Sequence, residues 1–493
     1  MSNREAALRQ TAEMRRNLRL LVGGELVEAS DCMTLATTDP ATGRSLGVVP
    51  NASPANVDGA VKAARRALPD WRNRSYAERR AVVLELGRLL RQESDLLGML
   101  DTLDTGNVFS AMRNDARGAA ELIDYYAAIG FELKGEVTML DRNLHYTRRE
   151  PYGVAVRLLP FNHPIASFGT AMAAPLLMGN TVVLKPSPHT PMSALAFGAL
   201  VKDIVPPGVL NILVGSNERA SLPLISHPGV DRIALTGSVE AGRTVMRAAA
   251  DRLVPLTLEL GGKNPLIVFP DFDPDEAADI AVRGMNYKWQ SHSCASTSRV
   301  LVHKDIEQKF LAALRERIAA IKVADPFDED AEMGAISYVE LYDRCLRYLA
   351  AGRNEGASLL VGGERPSDPE LANGLFLKPA LFANVSPSMS LAREEIFGPI
   401  TSVLAWDDRD RMVQTVNELP FGLTAVVLTN DLNAAHRTAE AVEAGYVEVN
   451  NPVSFALGSP YGGYKQSGQG REGSMDELVS YTRSKSINVR LKN

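Results

Sequence analysis

The stretch Val154-Ala155-Val156-Arg157-Leu158-Leu159-Pro160-Phe161-Asn162-His163-Pro164 is a short apolar run that stops at a proline and leaves polar residues beyond it. Runs of the same kind recur at Thr181–Leu184, Leu210–Val214, Ile233–Leu235 and Leu256–Leu258, each closed by Pro, Gly or a polar turn. Helix-like segments, notably Met192–Ile204 and Val239–Ala250, lie between several of them. Strands that alternate with helices form βαβ units, and such units build a parallel sheet covered on both faces. Ligands of these sheets bind beyond the carboxyl ends of the strands. The loops Pro160–Pro164, Lys185–Thr190, Gly215–Glu218 and Thr236–Gly242 therefore hold the first candidates for chemistry.

Between Arg157 and Lys185 no residue is formally charged if His163 is neutral, and that length could span a bilayer. Asn162, Pro164, Gly169, Pro175, Gly179 and Asn180 interrupt it, so it reads as a buried strand–loop–helix–strand. Towards the N-terminus, turn signals stand at Asp39-Pro40 and Thr42-Gly43, and Val57, Val61, Ala64 and Leu68 recur at helical spacing. Ser75-Tyr76-Ala77-Glu78 is a capping box for a second helix with the apolar face Val83, Leu86 and Leu90. A second strand-and-helix region begins near Pro265–Phe269 and runs to about residue 450. Glu136–Leu140 and Leu144–Arg148 alternate around Asp141-Arg142-Asn143 as a β-hairpin, and Ile487, Val489 and Leu491 alternate with Asn488 and Arg490 as a strand with one apolar face. Neither has an obvious sheet of its own; each is either a subunit-joining piece or packed on its own chain.

The 493 residues suggest about three domains or sub-domains. With 45% hydrophobic and 23% charged residues the chain is globular, which excludes disorder, collagen and coiled coil. A net charge of −6 leaves no global basic field, so no nucleic-acid partner is expected. Cys32, Cys294 and Cys345 are too few and too far apart for a disulfide framework or a zinc site, and no metal is expected. This cysteine usage suits a reducing, cytoplasmic compartment. The first twenty residues carry arginines without an apolar core, so no signal peptide is read.

Cys294 lies in Trp289-Gln290-Ser291-His292-Ser293-Cys294-Ala295-Ser296-Thr297-Ser298-Arg299, a run of small polar residues that suggests an exposed loop before the strand Val300–His303. It is either a nucleophile or a structural thiol. Glu259, between Leu258 and Leu260 and next to two glycines, is either a general base of raised pKa or half of a salt bridge to Lys263. Asn162 follows a strand; its amide either meets an oxyanion or bonds the backbone of a proline-bounded turn. His163 beside it reads as a pocket-lining or turn histidine. Thr236-Gly237-Ser238-Val239-Glu240-Ala241-Gly242 joins a strand to a helix whose first amides suit a pyrophosphate. Gly468-Gln469-Gly470-Arg471-Glu472-Gly473 matches GxGxxG in form but follows no strand, and no P-loop occurs.

In combination these pieces make the sequence resemble the aldehyde dehydrogenase superfamily over essentially its whole length. The matching motifs, in family order, are Asp101-Thr102-Leu103-Asp104-Thr105-Gly106, Pro160-Phe161-Asn162-His163-Pro164, Lys185-Pro186-Ser187 and Leu235-Thr236-Gly237-Ser238. They continue with Leu258-Glu259-Leu260-Gly261-Gly262-Lys263, Cys294 with Arg299, Glu394-Glu395-Ile396-Phe397-Gly398-Pro399, and Pro460-Tyr461-Gly462-Gly463-Tyr464-Lys465-Gln466-Ser467-Gly468 with Gly470-Arg471-Glu472.

The resemblance implies an α/β architecture: a Rossmann-like parallel-sheet cofactor domain over residues 1–126 and 149–258, a second α/β catalytic domain over 259–450, and a small β bridging or oligomerisation element from 127–148 and 451–493. It implies Cys294 as nucleophile, Asn162 with the Cys294 amide as oxyanion hole, and Glu259 as general base. Lys185 and Ser187 would hold the adenosine ribose of NAD or NADP, Gly237 and Ser238 the pyrophosphate, Glu395 the nicotinamide ribose, and Phe397 its ring, with Pro160, Phe161, Pro188 and Leu260 alongside. The substrate pocket would include His163, Thr170, Trp289, Ser293, Phe455 and Tyr461, whose aromatic walls suit an apolar or aromatic aldehyde. The partners implied are this small-molecule aldehyde and further copies of the chain, as a homodimer or homotetramer, with no membrane.

Three departures stand out. Pro188 occupies the position where NAD users often carry a glutamate for the ribose 2′-hydroxyl, which permits NADP. Trp289, Ser291 and His292 replace the usual amide-rich pattern before Cys294. Met475 stands where some members carry a glutamate beyond Gly-Arg-Glu, which leaves Glu259 without that helper. The readings to be separated are a hydrolytic enzyme, an acylating coenzyme A-dependent relative, which needs no Glu259, and a non-catalytic protein on the same fold.

Overall fold

A computed structural model describes residues 3–141 and 143–490 of the chain. Arg142 of the expected hairpin turn and Leu491 of the expected terminal strand lie outside the described residues. Among the described residues the first sheet runs in the order Gly468–Gln469, Leu256–Glu259, Arg232–Thr236, Val154–Leu158, Thr181–Lys185, Leu210–Ile212, Leu20–Val22 and Glu25–Val27. The five strands from Leu256–Glu259 to Leu210–Ile212 are the apolar runs of the sequence, and they pair in parallel. Gly468–Gln469 and the Leu20–Val22/Glu25–Val27 hairpin close the two edges antiparallel. Val154–Leu158 and Thr181–Lys185 are buried along their whole length. That is why these strands read as continuous apolar runs rather than as alternation.

The helices Pro54–Asn73, Pro164–Leu177, Met192–Val201 and Val239–Ala250 pack against this sheet and share its core. Met192–Val201 stops short of the expected Ile204, because Ile204 and Val205 turn back with 3.0 and 3.1 Å bonds to the Val201 carbonyl. The Ser75 capping box forms: its hydroxyl accepts from the Glu78 amide, and the Glu78 carboxylate accepts from the Ser75 amide at 2.7 Å. No helix among the described residues is long and apolar enough to cross a membrane, so the uncharged stretch after Arg157 is buried protein interior.

A second sheet runs Ser358–Val361, Ala380–Ala383, Ile400–Trp406, Arg299–His303, Pro265–Val268, Thr424–Leu428 and Tyr446–Val449, parallel except at its first pair. Leu260–Asn264 joins the two sheets, from the carboxyl end of Leu256–Glu259 to the start of Pro265–Val268. The carboxyl edge of the first sheet therefore opens towards the amino edge of the second. The expected hairpin and C-terminal strand find their sheet in each other: Thr482–Arg490 pairs antiparallel with Asn143–Pro151, which pairs with Val137–Leu140. Val137, Met139 and Leu140 are exposed on it.

Arg157, in the middle of the first sheet and only 3% exposed, is a buried charge that needs partners. They come from the far end of the chain. Its guanidinium lies 3.0 Å from Glu472 and 3.3 Å from Glu477, and it donates to the Tyr481 hydroxyl at 2.8 Å. The segment 468–481 is thus bound to the first sheet, with Leu478 and Tyr481 in its core. Arg157→Met leaves buried Glu477 and half-buried Glu472 without their cation, and the expected loss is about 3–5 kcal/mol. Denaturant titration of the variant beside the parent protein measures it.

Candidate active site

The end of one helix fastens the loops of the site. In Ser94–Thr105, the Asp101 carboxyl accepts from the Ile165 amide at 3.0 Å and the Asp104 carboxyl from the Met192 amide at 3.0 Å, so each caps the first turn of another helix. Burial pushes Asp101 up to about 8, which keeps its carboxyl largely protonated at pH 7, and pushes Asp104 well above its usual range. The helix ends at Gly106 with φ +77°, where a Cβ would lie 2.3 Å from the Ala335 carbonyl. The Gly106 carbonyl accepts from the Gln290 amide group at 2.9 Å, and the Asn107 amide group donates to the Asn162 carbonyl at 2.9 Å. The Asn162 and Cys294 loops therefore share one anchor.

The Cys294 loop is not the exposed loop expected from its small polar residues. Gln290, Ser291, His292, Ala295, Ser296 and Thr297 are buried, and Cys294 is half-buried. Small side chains let the loop thread between the two sheets, and internal bonds satisfy its backbone. The Asn264 amide donates to the Cys294 carbonyl at 2.6 Å and to the Ser296 carbonyl at 3.1 Å. The Asn162 side chain donates to the His292 carbonyl at 2.7 Å. His292 itself is held neutral, its pKa pulled down to about 3 by burial and by His163.

Cys294 and Glu259 come together, and Asn162 reaches the Cys294 loop at His292. The Cys294 thiol and the Glu259 carboxyl act on each other's ionisation, and the Tyr461 hydroxyl lies 3.5 Å from the Cys294 sulfur. Glu259, 4% exposed at the end of its strand, is pushed up to about 8 by burial, then by Glu472 and Glu395. Burial and the neighbouring Glu259 also push the Cys294 thiol up. The salt bridge to Lys263 does not form: Glu259 Oε1 and Lys263 Nζ are both without partners, and Lys263 is pushed down to about 7 by burial and by Arg299. Nor is Glu259 without a second carboxylate, since Glu472 of Gly-Arg-Glu itself stands beside it in place of the residue at Met475.

Of the residues expected on the cofactor side, Pro160, Phe161, Lys185, Ser187, Pro188, Gly237, Ser238 and Leu260 lie at or just past the carboxyl ends of strands in the first sheet, and Glu395 and Phe397 lie between Ser390–Arg393 and Ile400–Trp406. Lys185 is buried, pushed down to about 8 by that burial alone, with no carboxylate paired to it. The Ser187 hydroxyl accepts from the His189 amide at 3.2 Å, next to half-buried Pro188. The Gly237 amide is taken by the Glu259 carbonyl at 3.0 Å and the Ser238 hydroxyl by the Ala241 amide at 3.2 Å, so the free donors of that turn are the amides that begin the helix. The Leu260 amide bonds the Ser467 carbonyl at 2.9 Å. Glu395 accepts from the Gly262 amide at 3.0 Å and lies so close to Gly261 that a Cβ there would sit 2.0 Å from its carboxylate. Phe397, at φ +59°, packs edge-on to Phe161 at 5.7 Å and parallel to His292 at 5.9 Å, just past half-buried Pro160.

On the opposite side, Asp115 accepts from Trp289 Nε1 at 3.2 Å and lies 2.9 Å from His163 Nδ1, with the two rings 5.2 Å apart. Phe455 packs on Tyr461 at 4.4 Å, and the Ser293 hydroxyl accepts from the Ala295 amide at 3.3 Å. The Thr170 hydroxyl is turned back on its own helix, donating to the Ala166 and Ser167 carbonyls. Sequence reasoning missed Asn107, Asp115 and Asn264, ordinary polar residues whose roles depend on distant loops. The buried partner set of Arg157 is legible only as the oddity of an arginine inside an apolar run.

Residues 26–487 match the model of the aldehyde dehydrogenase family. The chain belongs to the aldehyde dehydrogenase family. It is 40% identical over 463 residues to the aldehyde dehydrogenase tropH of Talaromyces stipitatus, covering 92% of this chain and 90% of that protein. Betaine aldehyde dehydrogenase of Staphylococcus aureus, solved with NAD+, superimposes with a TM-score of 0.96 at 30% identity, over 99% of this chain and 97% of that one. An NAD+ complex of an aldehyde dehydrogenase from Bacillus cereus gives 0.94 at 34% identity, over 98% and 99%. Aldehyde oxidation is the activity this membership supports, on an α/β fold shared with those dehydrogenases. Since a neighbouring carboxylate opposes ionisation of Glu259, Glu472→Gln should move the alkaline rise of the aldehyde-oxidation rate from about pH 8 to lower pH. A pH–rate profile of both proteins measures the displacement.

Proposed function

We propose that this aldehyde dehydrogenase is NAD(P)-dependent and hydrolytic, with Cys294 as nucleophile, Glu259 as general base, and Asn162 with the Cys294 amide as oxyanion hole. The observation that carries the reading is the half-buried Cys294 thiol set beside the buried Glu259 carboxyl, each acting on the other's ionisation. The thiol gives its proton to Glu259 and the sulfur attacks the aldehyde carbon. The Asn162 side-chain amide and the Cys294 backbone amide meet the developing oxyanion, and one such donor is worth about 3 kcal/mol. The nicotinamide, when bound, accepts the hydride that leaves this carbon. Glu259, freed of its proton, then draws one from water, which attacks the Cys294 thioester and releases the acid. An acylating enzyme that passes the acyl group to coenzyme A needs no such base.

The residues fit the dinucleotide. Lys185 is an unpaired ammonium at the carboxyl edge of a parallel sheet, where a ribose with Ser187 satisfies it. The helix start after Gly237 and Ser238 suits the pyrophosphate, Glu395 the nicotinamide ribose, and Phe397 the ring, flanked by Pro160, Phe161 and Leu260. Because Pro188 puts no carboxylate beside Lys185, the pocket accepts a 2′-phosphate, and NADP is a substrate along with NAD. His163, Trp289, Phe455 and Tyr461, with Ser293 and Thr170, make a largely aromatic pocket, and the Asp115 carboxylate behind it disfavours a second anion. The substrate is an apolar or aromatic aldehyde. Residues 1–126 and 149–258 bind the cofactor, 259–450 carry the nucleophile, and 127–148 with 451–493 bridge subunits through exposed Val137, Met139 and Leu140 of a homodimer or homotetramer.

Cys294→Ala is expected to lower turnover by about three orders of magnitude or more. Glu259→Gln removes both the acceptor of the thiol proton and the base that activates water, so it should slow the first turnover of reduced cofactor as well as the steady rate. Rapid-mixing absorbance of NAD(P)H reads both; full turnover by Cys294→Ala refutes the assignment. The kcat/KM ratio for NAD over NADP should stay under about a hundredfold. Val137→Glu with Met139→Lys should shift the assembled mass towards the single chain in light scattering.

A further inference from the structure

The groups that act most strongly on the Cys294 sulfur are Glu259 at the end of Leu256–Glu259, Glu395 from the segment after Ser390–Arg393, and Tyr461. Reactive cysteines usually have a cation or a helix start to favour the thiolate. Here both carboxylates oppose it, and of these three groups the Tyr461 hydroxyl alone favours it. The hydroxyl is held in place from two directions. The Tyr461 backbone exchanges hydrogen bonds with Glu472 at 2.9 and 2.8 Å. Its ring is packed by Phe455 at 4.4 Å and Tyr446 at 5.5 Å. Buried beside Cys294, Glu259 and Glu472, the phenol keeps its proton and so has one to donate to the sulfur.

We propose that Tyr461 is a catalytic residue whose hydroxyl donates a hydrogen bond to the Cys294 sulfur as the thiol proton leaves for Glu259. The S–H bond of Cys294 breaks, an O–H bond forms on the Glu259 carboxylate, and the O–H bond of Tyr461 stays intact. The sulfur receives the same hydrogen bond when water expels it from the thioester. This rests on the reading of Cys294 as the nucleophile and adds the group that stabilises its anion.

The test is the rate at which iodoacetamide alkylates Cys294 in the full-length enzyme between about pH 6 and 10, read on the Cys294 peptide by mass spectrometry. Tyr461→Phe should move the midpoint of alkylation up by about one pH unit, and lower the rate at pH 7 and kcat/KM each about tenfold. Replacing Tyr461 by 3-fluorotyrosine, a stronger donor of nearly the same shape, should move the midpoint down, and decides the matter if the phenylalanine variant does not fold. Phe455→Leu, which alters the packing but keeps the hydroxyl, should change the aldehyde KM and leave the alkylation profile in place. An unchanged profile in Tyr461→Phe or in the fluorinated enzyme overturns the proposal. Turnover by Cys294→Ala instead sinks the nucleophile assignment itself, so the two failures are distinguishable.

Discussion

A thiol and a carboxyl group buried side by side cannot both carry charge, because each anion raises the cost of the other in a poorly solvated space. Cys294 and Glu259 stand in that relation, with Glu472 and Glu395 adding to the same field. This coupling favours passing one proton between the two groups over losing both. It also protects the thiol from indiscriminate oxidation or alkylation.

Holding two such groups together takes rigid elements on both sides. Glu259 is fixed by a strand of one sheet, and Cys294 by a loop that leads into a strand of the other. Asn264 ties the sulfur-bearing loop to the connection between the sheets, and the end of Ser94–Thr105 ties it to the Asn162 loop. At that helix end Asp101 and Asp104 accept from the amides of two helix starts, and burial raises both carboxyls, which opposes buried charge there.

The parallel sheet was legible because buried strands leave apolar runs and their ends leave prolines and glycines. The Ser75 capping box was equally plain, since a cap is a local affair. Cys294, Glu259 and Asn162 are individually ambiguous: thiol, carboxylate and amide each have a structural use at least as ready, and only the ordered motifs of a family point to a role for them. What stayed hidden depends on distant contacts. Nothing near Cys294 in the chain says that its loop is buried, because serines and alanines suit a tight interior passage as well as a surface turn. The second carboxylate beside Glu259 was sought at Met475 although Glu472 was already in view, because which face of a bend meets a strand is set by packing. Asp115 lies on a helix with no local cue, and its role appears only when Trp289 and His163 arrive.

The partner set of Arg157 bears on how the protein is made. Its central strand emerges from the ribosome long before Glu477, 320 positions later, can neutralise it. Until then the arginine is a charge that the core cannot enclose, so the half-made sheet stays solvated at its middle and unable to settle into a wrong dry packing. Arrival of residues 472–481 closes the sheet and sets Glu472 next to Glu259 in one event. Maturation of the core and the final setting of the Glu259 carboxyl are then the same step of biosynthesis.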